Sequence, residues 1–189
     1  MDVLQGRNNK AELYRRYPAA SIFTYNATTV VHFLAGAAMI FLGYDFAPTI
    51  ALSAAALYAA FALVEMYIVM PLSVCPNCVY FALDGSLCVS GLNIFSRRIA
   101  MEGRRADFGN RAKGILCPNN LYVSSLALPI AAGIPALLLH FSLAPLALLL
   151  LLVGLLTFRF FVIFPRIACL HCYGKFQCPQ AGAMGVREQ

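Results

Sequence analysis

The sequence predicts an all-α integral membrane protein: four transmembrane helices forming two hairpins, related as a pseudo-two-fold repeat, with a cytoplasmic Cys-rich cap. Three observations predict it. The 189 residues are 61% hydrophobic and only 12% charged, with a mean hydropathy of +0.74, whereas roughly 25% of residues are charged in soluble domains. The apolar residues are gathered into four runs of the length that crosses a bilayer, about 20 residues each. Finally, one motif ends both halves: Pro71-x3-Cys75-x2-Cys78 and Pro165-x3-Cys169-x2-Cys172, 94 residues apart.

Segment 1–21 is a basic tail carrying Arg7, Lys10, Arg15 and Arg16. A full span follows it rather than the short apolar core of a cleavable signal, so no cleavable signal is expected. Arg15, Arg16 and Tyr17 suit anchoring at the headgroup level. The first hairpin is 22–70. Its first span, 22–42, holds Asn26, Thr28, Thr29 and His32, then the small residues of 35–38, which allow close helix approach. The link 43–48 has no basic residue, and the second span, 49–70, is Ala-rich around Glu65. Pro71 is expected to end that helix, because it removes a ladder hydrogen bond and its ring clashes with the preceding turn.

Segment 71–120 is a Cys-rich loop with Cys75, Cys78, Cys88 and Cys117, and a short amphipathic helix is expected at 93–102. The second hairpin, 121–164, has spans at 121–140 and 144–164 joined by a tight turn. Segment 165–189 is a second Cys-rich tail whose Gly/Ala-rich end need not be ordered.

All fourteen Lys and Arg residues lie in the two tails, in the 72–120 loop, or at Arg159 near the end of the fourth span. The two short turns have none. By the positive-inside rule both termini and the long loop are cytoplasmic, in a multi-pass protein of the cell inner (plasma) membrane. The formal charge of +6 therefore marks orientation in a lipid bilayer, and no nucleic-acid partner is expected.

The chemistry sits in the cysteines. Two C-x-x-C knuckles brought together by the repeat supply four thiolates, a tetrahedral donor set for Zn2+ or an iron–sulfur cluster. A reducing cytosol favours metal over permanent disulfides. Cys88, Cys117, Cys178 and His171 extend Cys75, Cys78, Cys169 and Cys172 to eight donors, numerically enough for two sites. Glu65 and Arg159 stand at the same offset before their prolines, with opposite charge. Ionised residues at that depth are costly unless paired, so a buried ion pair is expected beneath the cysteines, able also to hold a quinone headgroup or lipid phosphate. His32, about 15 Å into the first span, joins them as a cofactor-binding candidate. Its plain reading is a hydrogen bond to Asn26, Thr28 or Tyr67. Haem ligation is not expected, since His140 belongs at the opposite face.

These features suggest a membrane-embedded metal-binding subunit, accessory or electron-transferring, of a larger membrane complex or homo-oligomer. The alternatives are a small thiol/quinone oxidoreductase and a small transporter. In outline, four spans with C-x-x-C pairs resemble the disulfide-forming quinone reductases and the vitamin K epoxide reductases. Those families work with cysteines on or near the oxidising side, whereas here every cysteine falls on the positive side, and no residue roles carry over.

Overall fold

The computed structural model describes residues 12–45 and 47–187. Arg7 and Lys10 of the basic tail lie outside the described residues. The chain is all-helical, 73% helix, without strands among the described residues. Four helices are long and apolar enough to cross a membrane: Ala19–Gly43, Pro48–Asn77, Pro118–Leu139 and Leu143–Ala168.

The first, α1 (Ala19–Gly43), starts directly after Pro18. It packs on the other three: α2 (Pro48–Val64), α5 (Pro118–Leu139) and α6 (Leu143–Phe158). The expected small-residue stripe makes the contact with α2. A side chain at Gly36 would meet the Tyr58 ring and hydroxyl at 2.6–2.9 Å, and Tyr58 itself reaches across to the Ser125 carbonyl (3.0 Å).

The two prolines do not end their helices. α2 continues as a π-helix over Glu65–Val74, with Pro71 inside it, and α6 continues as a π-helix over Arg159–Ala168, with Pro165 inside it. The widened i→i+5 turn accommodates a proline ring that would clash with the i−4 carbonyl of an α-helix. The register of the two segments is the same. Glu65 N–H bonds to the Phe61 and Ala62 carbonyls, and Arg159 N–H to those of Leu155 and Leu156. At the far end Cys75 N–H bonds to Met70 O, and Cys169 N–H to Phe164 O. Each pair of positions differs by 94, the offset of the sequence motif. In the first copy Pro76 has no N–H for the Pro71 carbonyl. The Ser96 hydroxyl, from α4 (Leu92–Ile99), donates to it instead at 2.6 Å.

Between α2 and α5 the chain makes a 3-10 turn at Cys75–Asn77, the short α3 (Val79–Ala82), α4, and a 3-10 stretch at Arg105–Ala112. Arg97 and Asn93 hold this loop. Arg97 donates to the carbonyls of Tyr80, Phe81 and Leu83 at 2.6–2.7 Å. Asn93, buried, bonds Ser86, Tyr80 O and Cys88 N.

Both tails pack on the helices. Tyr17 is buried within the protein, and its hydroxyl donates to the Ala168 carbonyl. The preceding residues are laid along the loop: Arg16 forms an isolated parallel bridge with Leu87, and Tyr14 N–H bonds to His171 O (2.9 Å). The Gly/Ala-rich end forms α7 (Pro179–Ala183), with Ala181 and Val186 packed into a small core beside Val74, Phe108 and Cys178.

Candidate functional site

A cavity of about 160 Å³ opens where α1 begins and the two π-helices end. Cys75, Cys78, Cys88, Cys169, Cys172 and Cys178 line it. The π-helices contribute Met66, Met70, Val74, Phe164 and Ala168; the loop contributes Tyr80 and Val89; α1 and its lead-in contribute Tyr25 and Tyr17. Both C-x-x-C pairs thus line one cavity. The Asn93 and Arg97 clamps deliver Cys88, and α7, capped by Cys178, delivers the sixth. No disulfide joins any two of the seven cysteines.

The thiols feel one another. Burial pushes the Cys172 thiol up, and Cys78, Cys169 and Cys178 add to the shift, against a Gly174 N–H that donates to its sulfur (3.3 Å). Burial likewise pushes Tyr80 up, with Cys172 as the next contributor. Both shifts favour the protonated forms of Cys172 and Tyr80.

Among the described residues the cavity lining carries six cysteines and no carboxylate or imidazole. Among the described residues, no three His, Cys, Asp or Glu side chains stand close enough together to hold an ion.

Two of the eight expected donors lie elsewhere. Cys117 is buried at the start of α5, where its sulfur accepts the Asn120 N–H (3.4 Å) as a helix cap. His171 stacks on Tyr14, with ring centroids 4.4 Å apart, and its Nδ1 donates to the Glu12 carbonyl (2.7 Å). Position 171 sits inside a knuckle, and its side chain turns away from the cavity to fasten the N-terminal segment.

The membrane-buried trio is also rearranged. Glu65 and Arg159 form no ion pair. Arg159, 0% exposed, donates to the hydroxyls of Tyr122 and Thr29 (2.7 Å to Thr29). Its guanidinium carbon lies 5.4, 5.8 and 5.9 Å from the ring centres of Tyr25, Tyr122 and Phe164. Its Nε has no partner. Glu65, 2% exposed, has no partner for either oxygen. His32 is fully buried and uses neither Asn26, Thr28 nor Tyr67. Its Nε2–H donates to the Leu126 carbonyl of α5 (2.9 Å), leaving Nδ1 unpartnered. Asn26 and Thr28 instead bond carbonyls one turn back in α1.

The sequence reading missed Tyr25, Tyr122, Asn93 and Arg97. Tyrosines inside otherwise apolar spans were the available signal for the first two, since a buried phenol needs a polar partner. For Asn93 and Arg97, which hold loop carbonyls far from them in sequence, no local signal exists. Comparison with protein-family models, with curated proteins and with solved structures returns no match.

Proposed function

We propose that this protein is a multi-pass membrane metalloprotein whose two C-x-x-C pairs bind Zn2+ or an iron–sulfur cluster at the cytoplasmic end of a two-hairpin repeat. The observation that carries this reading is the arrival of Cys75, Cys78, Cys169 and Cys172 at a single cavity from two π-helices in identical register. Cys88 and Cys178 line the same cavity and stand ready to replace or supplement a ligand. Cys117 and His171 are outside this proposal.

A bound ion would tie the two halves together, and an iron–sulfur cluster would also carry electrons. The protein would serve a larger membrane complex or a homo-oligomer, docking through the polar loop and tail around the cysteines. The concentration of Lys and Arg in those segments supports their cytoplasmic placement in the cell inner membrane.

The test is elemental analysis of protein purified without oxygen, with its absorption spectrum. Zinc or iron bound per chain, lost together when Cys75 and Cys169 are changed to Ser, supports the reading. Metal-free protein whose thiols cycle between dithiol and disulfide in the native membrane would favour the thiol/quinone oxidoreductase instead.

A further inference from the structure

The polarity of α4 (Leu92–Ile99) is inside out. Its buried side chains are Leu92, Asn93 and Ser96, and the half-buried Arg97 is turned inward to loop carbonyls. Asn93 and Ser96 direct their polar groups to Tyr80, Ser86, Cys88 and Pro71. The outward positions are Ile94, Phe95, Arg98 and Ile99, and the three apolar ones are 44–45% exposed. A surface helix in water carries the opposite pattern, apolar inward and polar outward. An exposed apolar face of this kind marks contact with a membrane or with another protein.

The setting of the face favours lipid. The Ser96–Pro71 hydrogen bond (2.6 Å) fastens α4 near the loop end of the second long helix. That helix, Pro48–Asn77, has 30 residues, about 45 Å at 1.5 Å per residue. Centred on a hydrocarbon core about 30 Å thick, it brings Pro71 to the core boundary. On the same helix Ile68 and Leu72, on either side of Pro71, are exposed, as are Ile115 and Leu116 just before α5 begins at Pro118. Charge points the same way. Residues 92–116 hold six Lys and Arg against two acids, and α4 itself holds no acid. A positive excess beside an apolar face suits the anionic surface of a bilayer.

We infer that α4 is an interfacial helix seated in the headgroup layer, with Ile94, Phe95 and Ile99 at the acyl boundary and Arg98 on the phosphate of an anionic lipid. This rests on the four long helices being membrane spans and is independent of what the cysteines bind. Asn93, Ser96 and Arg97 fix the inner face, so the outer face is held at one depth. Arg98 stands one turn from Ile94 and Phe95, so its guanidinium reaches the headgroups while its neighbours stay in the apolar layer. A guanidinium offers a phosphate two parallel N–H donors.

The chain contains no tryptophan, so one introduced by substitution reports its own surroundings alone. The experiment reconstitutes the full chain carrying Phe95→Trp in phosphatidylcholine vesicles brominated either near the headgroup or deep in the acyl chain, with acrylamide as the aqueous quencher. The expected result is strongest quenching by the shallow bromines and weak quenching by acrylamide. Ile99→Trp reads the same face and decides the matter if Phe95→Trp does not accumulate. Leu63→Trp, on an exposed position of α2, is the control and should be quenched most by the deep bromines. Brominated phosphatidylglycerol is expected to compete for the site at position 95 about fivefold better than brominated phosphatidylcholine, the effect of one basic residue at an anionic surface. Adding Arg98→Gln should bring that ratio to about one. Quenching at 95 and 99 by acrylamide alone places the face in water and overturns the inference. Quenching by neither lipid nor acrylamide means that a second copy or another protein covers it, which overturns it equally. A preference for phosphatidylglycerol that is absent, or that survives Arg98→Gln, overturns the headgroup contact. A Leu63→Trp control untouched by brominated lipid removes the membrane-span reading and this inference with it.

Discussion

Glu65 and Arg159 occupy equivalent positions of the repeat, yet they do different things. Arg159 is tied to α1 and α5 through Thr29 and Tyr122, while Glu65 is buried with both oxygens unbonded. With no ion pair to break, Glu65→Gln is expected to change stability by less than about 1 kcal/mol, measured by thermal unfolding in detergent. A loss of several kcal/mol would mean that the carboxylate has an ionic partner after all. Asn93 is the opposite case: its side chain answers groups on Tyr80, Ser86 and Cys88. Asn93→Ala leaves buried polar groups unsatisfied at about 1–3 kcal/mol, and the same melting experiment should show a clear drop, with metal retention falling alongside. The equal offset of the two charges was legible from residue spacing. Their lack of mutual contact was not, because depth along a helix says nothing about the direction in which a side chain faces.

The four long helices were legible because length and apolar content alone define a span, and their ends fall within a few residues of expectation except at the prolines. Proline breaks an α-ladder, but a π-turn absorbs it, and the helices run on to deliver the cysteines. The spacing of Pro71 and Pro165 from the cysteines therefore encodes a helical register rather than a helix stop. Close packing at Gly36 belongs to the same scale. A Gly36→Val side chain would strike Tyr58, and such overpacking is expected to cost about 1–3 kcal/mol, visible as a lower melting temperature with unchanged helical content at low temperature. An unshifted melting temperature would mean that α1 and α2 are free to separate at this crossing.

For the whole molecule, membrane topology and the accessibility of the cysteine cavity are linked. The basic loop, the tails and all six cavity cysteines should be reached from one side of the membrane. A membrane-impermeant thiol reagent should label metal-stripped protein in inside-out vesicles and leave it unlabelled in right-side-out cells; labelling from the outside would reverse the topology. Both C-x-x-C pairs line one cavity, while among the described residues no three donors stand close enough to hold an ion. The recruitment of Cys88 and Cys178, and the diversion of Cys117 to a helix cap and of His171 to Tyr14, depend on tertiary contacts that no spacing reveals. The central claim, that this cavity is a metal–thiolate site, is tested most directly by metal analysis with an absorption spectrum on anaerobically purified protein. Zinc without visible absorption, or iron with absorption near about 400 nm, is the predicted result; protein that carries no metal and takes up none when its thiols are reduced would contradict it.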